Sequence, residues 1–227
     1  MGPEAFPKAR HEDFYAGHSW ASGIFFMGQG KAQESSSEAA NAYYGAYLLA
    51  TSLGDVALAD WCRTLLAMEV RAAKFYYHMP AGGKVYPARF ADKNRMVGVL
   101  GALSTGSQTW FGASPIYAHG IQILPMTPAT EDLLEPPAFI ADDLAFLDAA
   151  LQDDAAVDAA WSSLIVCERA VLDPERAWDE MMALQTVEGG ASKASLLYWI
   201  ATRPEPDEET KALLARARKA AGGDGGG

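Results

Sequence analysis

The feature that most restricts the fold is a pair of long helical stretches separated by a single glycine. Residues 35–53 are rich in alanine, tyrosine and leucine and end at Gly54, which is typical of a helix with a glycine at its C-terminus. Residues 55–78 repeat apolar side chains at helical spacing over about six turns. We expect the two stretches to form an antiparallel helical hairpin through the tight turn at Gly54.

The remainder of the chain adds further helical patterns and almost none of the alternation that strands show. Helices are predicted at residues 137–151, 155–172, 174–185, 194–201 and 207–221. The predicted class is therefore mainly α. Long irregular segments lie between the helices, at residues 79–94, 104–117 and 124–136. Loops of this length usually carry function, and their aromatic residues are not typical of disorder.

Charge and composition exclude several classes of partner. The 227 residues carry 18 lysines and arginines against 29 aspartates and glutamates, a net charge of −11, without a basic cluster. Nucleic acids and anionic membranes need a positive surface, so neither is expected as a partner. No apolar run is long enough to span a bilayer, and the first residues show no secretory signal. Cys62 and Cys167 are too few for a disulfide scaffold or a cysteine-rich metal site and are expected to be buried thiols.

The two halves of the chain differ strongly in composition. Residues 1–119 carry 10 basic and 9 acidic side chains, a net charge of +1, and 18 of the 24 aromatic residues. Residues 120–227 carry 8 basic and 20 acidic side chains, a net charge of −12. A nearly neutral, aromatic-rich half suits a flat, polar, uncharged ligand, and the acidic half is typical of solvated helices. Composition alone also allows the aromatic residues simply to mark the core.

The densest group of reactive side chains is the segment Gln33-Glu34-Ser35-Ser36-Ser37-Glu38. In a helix, Glu34 and Glu38 lie one turn apart on the same face. Ser35 and Glu38 also fit a capping box, in which the serine caps the helix and the glutamate reaches back to the backbone. Spacing leaves both interpretations open, and they are compatible. Paired carboxylates are what glycoside hydrolysis requires: an acid for the leaving oxygen, and a base or nucleophile at the anomeric carbon.

Three glycine-containing segments carry histidines or aromatic residues. Residues 17–23 contain His18 and Trp20, residues 106–112 contain Trp110, and residues 117–125 contain His119. The first segment by itself is also compatible with a turn that carries a half-buried tryptophan. His18 and His119 lack the spacing of a metal site, so no metal is expected. A serine hydrolase is not expected either, because no G-x-S-x-G motif is present. The two remaining histidines are expected at the surface: His11 and His78.

Taken in order, five segments resemble glycoside hydrolase family 81, the endo-1,3-β-glucanases or laminarinases. They are Gly-His-Ser-Trp-Ala-Ser-Gly at 17–23, Gln-Glu-Ser-Ser-Ser-Glu-Ala at 33–39, Asn-Ala-Tyr-Tyr-Gly at 41–45, Thr-Trp-Phe-Gly at 109–112 and His-Gly-Ile-Gln-Ile-Leu-Pro at 119–125. The serine-rich segment is highly specific for this family. The similarity is dense from about residue 6 to residue 134 and thin afterwards.

The resemblance implies that residues 1–221 form the C-terminal part of an (α/α)6 barrel, followed by a flexible glycine-rich tail at 222–227. It implies inverting hydrolysis of internal β-1,3 linkages of glucan without a cofactor. Glu34 would be the general base that activates water, and Glu38 its close partner. The groove would be lined by residues that stack on sugars or bind their hydroxyls: His18, Trp20, Asn41, Tyr44, Trp110 and His119.

The resemblance also implies a partner and a location. The partner would be a β-1,3-glucan such as laminarin, callose or cell-wall glucan, and the location extracellular or in the cell wall. One departure concerns the general acid of the family, an aspartate in a histidine-rich segment well upstream of the paired glutamates; residues 1–33 contain no such segment. We therefore expect an N-terminally truncated enzyme. A catalytically inactive glucan-binding fragment and a helical scaffold remain as alternatives.

Overall fold

The protein is mainly helical, as predicted, in a computed structural model that describes residues 8–22, 28, 30–153 and 157–222. The helices are α1 (Ser36–Ser52), α2 (Val56–Ala72), α3 (Ala88–Ala91), α4 (Pro115–Gly120), α5 (Pro137–Asp153), α6 (Ser162–Arg169), α7 (Pro174–Ala183), α8 (Lys193–Ala201) and α9 (Glu208–Gly222). A π-helical segment occupies Ala73–Tyr77, and 3-10 turns occupy Pro128–Leu133 and Ala159–Trp161. The strands are β1 (Glu12–Asp13), β2 (His18–Ser19), β3 (Ala32–Gln33), β4 (Val99–Gly101) and β5 (Thr105–Gly106).

Helices α1 and α2 form the predicted hairpin and pack along each other. The Ser35 side chain caps α1 by accepting a hydrogen bond from the Glu38 amide at 3.2 Å. Gly54 has a φ of +71°, in the left-handed region that glycine adopts without steric cost. Asp55 caps α2 by accepting from the Leu58 amide at 3.0 Å. The chain reverses here because both helix ends carry their own stop and start signals.

Two predicted helices differ from the observed ones. The second helix of the hairpin is regular only to Ala72 and then widens into a π-helical segment. Its last residue, Tyr77, is buried, and its hydroxyl donates to the Gln33 carbonyl at 3.0 Å. The helix predicted from residue 155 begins later, because Asp158 caps a 3-10 turn by accepting from the Ala160 amide. Residues 155 and 156 lie outside the described residues.

The short strands were not predicted, because segments of two or three residues carry no readable alternation. Strands β1 and β2 form an antiparallel pair, and β3, β4 and β5 form an antiparallel sheet in that order. A side chain at Gly98, just before β4, would meet the Gln108 carbonyl at 2.5 Å, so glycine permits this close backbone approach. The sheet places residue 34, directly after β3, beside the loop that carries residue 110.

The core lies where α4, α5 and α6 meet, with α7 and α8 packed against α6. Its fully buried side chains include Leu147, Leu164, Ile165, Leu196 and Ile200. Both cysteines are free and buried, as predicted. No helix within the described ranges has the length and apolar character needed to cross a bilayer. Of the predicted tail, residue 222 ends α9, and residues 223–227 lie outside the described residues.

Candidate active site

An open cleft of about 460 Å³ lies at the N-terminal end of α1. It contains two of the predicted carboxylates and two of the predicted indole rings. The residues that line it are His11, Ser19, Trp20, Ala21, Gln33, Glu34, Ser35, Glu38, Ala39 and Trp110. The tertiary structure therefore brings together residues that are up to 99 positions apart, and it does so around the pair of glutamates.

Glu34 lies directly between β3 and the cap of α1, with 9% of its surface exposed. Its Oε1 accepts a hydrogen bond from the Trp110 backbone amide at 2.7 Å. Burial raises the pKa of the Glu34 carboxyl; the Trp110 amide opposes this shift, and the negative charge of Glu38 adds to it. The result is a carboxylate that is held in place and more basic than an ordinary glutamate.

The three serines between the glutamates fasten α1 to the residues that follow α4. Ser35 donates to the Ile121 carbonyl at 2.7 Å, and Ser36 donates to Gln122 Oε1 at 2.8 Å. Ser37 donates to the carbonyls of residues 121 and 124. All three serines are buried, so these hydrogen bonds are not shared with bulk solvent. The serine run is thus a polar anchor beneath the cleft.

The structure resolves the two interpretations of the Ser35–Glu38 spacing. Ser35 caps the helix, as the capping box requires. Within the described part of the chain, however, no hydrogen bond returns from the Ser35 amide to the Glu38 carboxylate, which is exposed at the cleft. The hydrogen bond from the Glu38 amide to the Ser35 side chain is therefore present, and the reciprocal one is not. The Glu38 carboxylate instead lines the same cleft as Glu34.

Two tryptophans border the cleft. Trp110 is 48% exposed, whereas Trp20 is 8% exposed and is fixed by its indole N–H, which donates to Asp13 Oδ2 at 3.2 Å. His18 lies behind Trp20, with ring centroids 4.5 Å apart in an edge-to-face arrangement. His18 is 2% exposed and does not line the cleft, so it supports the Trp20 ring from below.

Asn41 and Tyr44 follow on α1 but are not among the residues that line this cleft. The Asn41 amide donates to the Ser37 carbonyl at 2.9 Å, and its Oδ1 accepts from the Thr127 hydroxyl. Asn41 therefore joins α1 to the segment before the 3-10 turn. Tyr44 is half-buried. Their predicted contact with substrate stays a prediction.

His119 is buried away from the cleft. It is 1% exposed, and its Nδ1 lies 2.6 Å from Asp143 Oδ2. His119 was predicted to line the groove, but its ring lies in the core, where it contacts Asp143 on α5. Asp143 is fully buried as well, although the acidic half of the chain was interpreted as solvated. The sequence offered no signal for this pairing across 24 residues.

The surroundings of the two remaining histidines differ from those predicted. His78 was expected at the surface, but it is 7% exposed and its ring stacks on Phe139 at 4.3 Å between centroids. His11 is exposed, as expected, yet it lines the cleft, and its Nε2 lies 2.9 Å from the Tyr43 hydroxyl. That hydroxyl in turn donates to Glu12 Oε2 at 2.9 Å. This group could not be predicted from the sequence, because Tyr43 lies more than 30 residues from His11 and Glu12.

Gln122 is the other functional position that sequence analysis missed. It is 2% exposed, and its amide nitrogen donates to the carbonyls of Glu34 and Gly98. Its amide oxygen accepts from both the backbone and the hydroxyl of Ser36. One buried side chain therefore fixes the backbone at the candidate base and at Ser36 together.

A cleft with two carboxylates, one exposed indole ring and one buried indole ring offers the groups that glycoside hydrolysis requires. A family model described as the glycosyl hydrolase family 81 C-terminal domain matches residues 2–200. The chain belongs to glycosyl hydrolase family 81. This confirms the resemblance inferred from the five segments.

Named relatives agree with this membership. The chain is 32% identical over 202 residues to a glucan endo-1,3-β-D-glucosidase of Glycine max, an alignment that covers 88% of this chain and 30% of that protein. It is 32% identical over 200 residues to the primary septum glucan endo-1,3-β-D-glucosidase of Schizosaccharomyces pombe, covering 86% of this chain and 19% of that protein. The chain thus spans less than a third of the length of either relative.

A solved structure gives the same answer for the fold. A mutant of the glycoside hydrolase family 81 protein from Clostridium thermocellum superposes with a TM-score of 0.73 at 27% sequence identity. The superposition covers 88% of this chain and 27% of that one. The helical architecture is therefore that of a family 81 protein over most of the sequence.

Proposed function

We propose that this chain contributes the base side of the active site of an endo-1,3-β-glucanase. The observation that carries the proposal is the Glu34 carboxylate, which is held by the Trp110 amide in a cleft that two indole rings line. The names of the relatives supply the substrate, a 1,3-β-glucan. An uncharged polysaccharide also suits the nearly neutral half of the chain in which the cleft lies.

Glu34 has the properties of a general base for inverting hydrolysis. With Oε1 held by the Trp110 amide, Oε2 is the oxygen that takes a proton from water. The resulting hydroxide-like oxygen bonds to the anomeric carbon while the bond to the leaving oxygen breaks, and a general acid protonates that oxygen. Partial burial makes Glu34 a stronger base than a glutamate in water. Glu38, on the same cleft, raises this basicity further and is placed to orient the water.

Trp110 and Trp20 provide the sugar-binding walls. Pyranose rings present apolar C–H faces that pack on indole rings, and Trp110 offers half of its surface for this contact. Among the described residues that line the cleft, Glu34 and Glu38 are the only carboxylates. We assign the role of general acid to neither, because Glu34 is the proposed base and Glu38 is proposed to orient the same water molecule.

The same proposal includes the type of helical barrel and the location of the protein. We propose that the described helices form part of the (α/α)6 barrel of a larger enzyme. An extracellular or cell-wall setting follows from the kind of substrate and agrees with the septum glucanase among the relatives. The alternative is a glucan-binding unit that uses the same cleft without catalysis.

Incubation with laminarin tests the proposal. The chain, and any longer form of the protein that contains it, is compared with Glu34→Gln by reducing-sugar release and by a glucan affinity gel. We expect hydrolysis to fall about 10²–10⁴-fold in Glu34→Gln while glucan binding is kept. Exposed Glu209→Gln on α9 is the matched control. Proton NMR of the first product should show the α-anomer.

The outcomes separate the functions. Near-normal turnover in Glu34→Gln would remove Glu34 from the role of base. Binding to the gel without any sugar release, in every form of the protein, would establish the glucan-binding alternative. Failure to bind laminarin at all would leave a helical scaffold without a role in carbohydrate chemistry.

A further inference from the structure

Three helices of the core place one potential metal ligand each at a common point. His119 lies on α4, Asp143 on α5 and Glu168 on α6. One ligand atom of each residue lies within 4.8 Å of the other two. Their exposures are 1%, 0% and 1%, so the point is enclosed by protein. None of the three lines the glucan cleft, and the group has no part in the mechanism proposed above.

Of the four carboxylate oxygens at this point, Asp143 Oδ2 pairs with His119 Nδ1, and the other three have no hydrogen bond of normal geometry among the described residues. These three, Asp143 Oδ1 and both carboxylate oxygens of Glu168, are buried. The side chains of Asp143 and Glu168 adjoin each other. A buried carboxylate normally gains several such bonds or a cation, because its desolvation otherwise costs several kcal/mol. Two buried carboxyl groups with three oxygens that have no hydrogen bond of normal geometry are therefore an unusual arrangement.

The nearby arginines Arg95 and Arg169 attract these carboxyls through space, but neither forms a hydrogen bond with them among the described residues. Arg169 directs its guanidinium to Asp148 at 2.6 Å and to Glu180 at 2.9 Å. The Arg95 guanidinium donates to the carbonyls of Ala91 and Asn94. The cluster thus holds two carboxyl groups and an imidazole, without a bonded cationic side chain in the described part of the chain.

We propose that His119, Asp143 and Glu168 bind one divalent first-row cation, with Zn²⁺ as the preferred ion. Two carboxylates carry a charge of −2, which one such ion balances. One imidazole nitrogen with two carboxylate oxygens favours Zn²⁺ over Ca²⁺ or Mg²⁺, which prefer sets of oxygen ligands only. The ion ties α4, α5 and α6 together at the centre of the core, so its role is structural.

The ligands come from consecutive helices that already pack in pairs. A modest adjustment suffices for binding: the His119–Asp143 hydrogen bond opens, and both groups turn to the ion together with Glu168. Because the residues lie on helices rather than loops, the site is held rigidly. Cation binding to the folded chain then stabilises it by mass action.

The test uses the purified chain, stripped with a chelator and then titrated with Zn²⁺, Mn²⁺ or Ca²⁺. We expect one Zn²⁺ per chain by elemental analysis and a rise in Tm of about 5 °C at saturation. Glu168→Gln and Asp143→Asn should each lower the bound Zn²⁺ at least tenfold. Asp142→Asn is the matched control, because Asp142 is the exposed neighbour of Asp143 on α5.

Cobalt(II) provides a readout that needs no variant. Bound Co²⁺ in a site with nitrogen and oxygen ligands should give visible d–d absorption that Zn²⁺ displaces, so the proposal stays testable if Glu168→Gln does not fold. The proposal is overturned if the wild-type chain binds none of the ions and its Tm is insensitive to them and to chelator. In that case the carboxyls share a proton. Preference for Ca²⁺, or unchanged Zn²⁺ binding in Glu168→Gln, also overturns it.

Discussion

Glu34 shows how a single residue acquires reactivity from its surroundings. Burial is the largest cause of its raised pKa, and the Trp110 amide, which donates to the charged form, limits that rise. The negative charge of the exposed Glu38, one helical turn away, raises the pKa further. Glu34 therefore holds a proton more readily than a glutamate in water does.

The first prediction concerns this balance. In Glu38→Gln the negative charge next to Glu34 is removed, so the pKa of Glu34 should fall toward its ordinary value. Carbon-13 NMR of labelled glutamate carboxyls measures this directly, without reference to activity. In any catalytically active form, the acidic limb of the pH profile should move to lower pH. An unchanged or increased pKa of Glu34 would contradict the arrangement described.

The second prediction concerns the exposed indole. Trp110→Ala removes a stacking surface at the mouth of the cleft and should weaken laminarin binding about tenfold. Affinity-gel mobility or calorimetry measures the change. Trp178→Ala is the control, because Trp178 is 40% exposed but lies on α7 and does not line the cleft. Equal losses in the two variants would show that the cleft is not the glucan site.

At the scale of elements, the N-terminus of α1 is fixed more firmly than a helix cap requires. Ser35 serves as the cap, while Ser36 and Ser37 bond to the chain after α4. Gln122 then holds the backbone at Glu34 and at Gly98. The helix, the small sheet and the segment after α4 therefore act as one frame for the candidate base.

The third prediction tests this frame. Gln122→Ala leaves the Ser36 amide and hydroxyl and the Glu34 carbonyl without a buried partner, and should lower the free energy of unfolding by about 1–3 kcal/mol. Chemical denaturation with urea measures the loss. Gln185→Ala, at an exposed position after α7, is the control. If Gln122→Ala costs no more than Gln185→Ala, the amide is not a structural support.

Helices were more predictable than the elements between them. The hairpin of α1 and α2 was predicted within about two residues at most ends, since Ser35, Gly54 and Asp55 are strong local signals. Helix α4 was not predicted: it begins within the segment 104–117, which was predicted to be irregular, although Ser114 caps it and Pro115 begins it. Six residues are too few to show a helical period, so only the tertiary contacts distinguish this helix from a turn.

At the scale of the whole molecule, one buried carboxyl links the N-terminal strands to the hairpin. Glu69 on α2 is 1% exposed, and its Oε1 accepts from the Ser19 amide of β2. Burial raises the pKa of Glu69 to about 7; the hydrogen bonds from Ser19 oppose this, and the charge of Glu12 adds to it. Between pH 4.5 and 7 the folded chain therefore keeps a proton that the unfolded chain has lost.

The fourth prediction follows from that difference. Because the folded state binds more protons in this window, the contribution of Glu69 to stability is full below pH 4.5 and is lost as the pH rises through 7. Glu69→Gln keeps an acceptor for Ser19 and removes the titration. The free energy of unfolding of Glu69→Gln minus that of wild type should increase by about 3 kcal/mol between pH 4.5 and pH 8.

Urea denaturation at several pH values measures this change. Exposed Glu209→Gln reports how a neutral surface substitution affects the same curve. A difference between Glu69→Gln and wild type that stays constant across the window would contradict the proton-linked role of Glu69.

The sequence by itself determined the mainly helical class, the hairpin, the family and the pair Glu34 and Glu38. These depend on local spacing and on contiguous motifs, which a chain displays whether or not it is folded. The tertiary structure alone decided that Trp110 holds Glu34, that Gln122 supports it, and that His119 faces Asp143 and Glu168 in the core. Those relations join residues 24 to 88 positions apart, and only the packing of helices, which depends on all the side chains together, brings them within bonding distance.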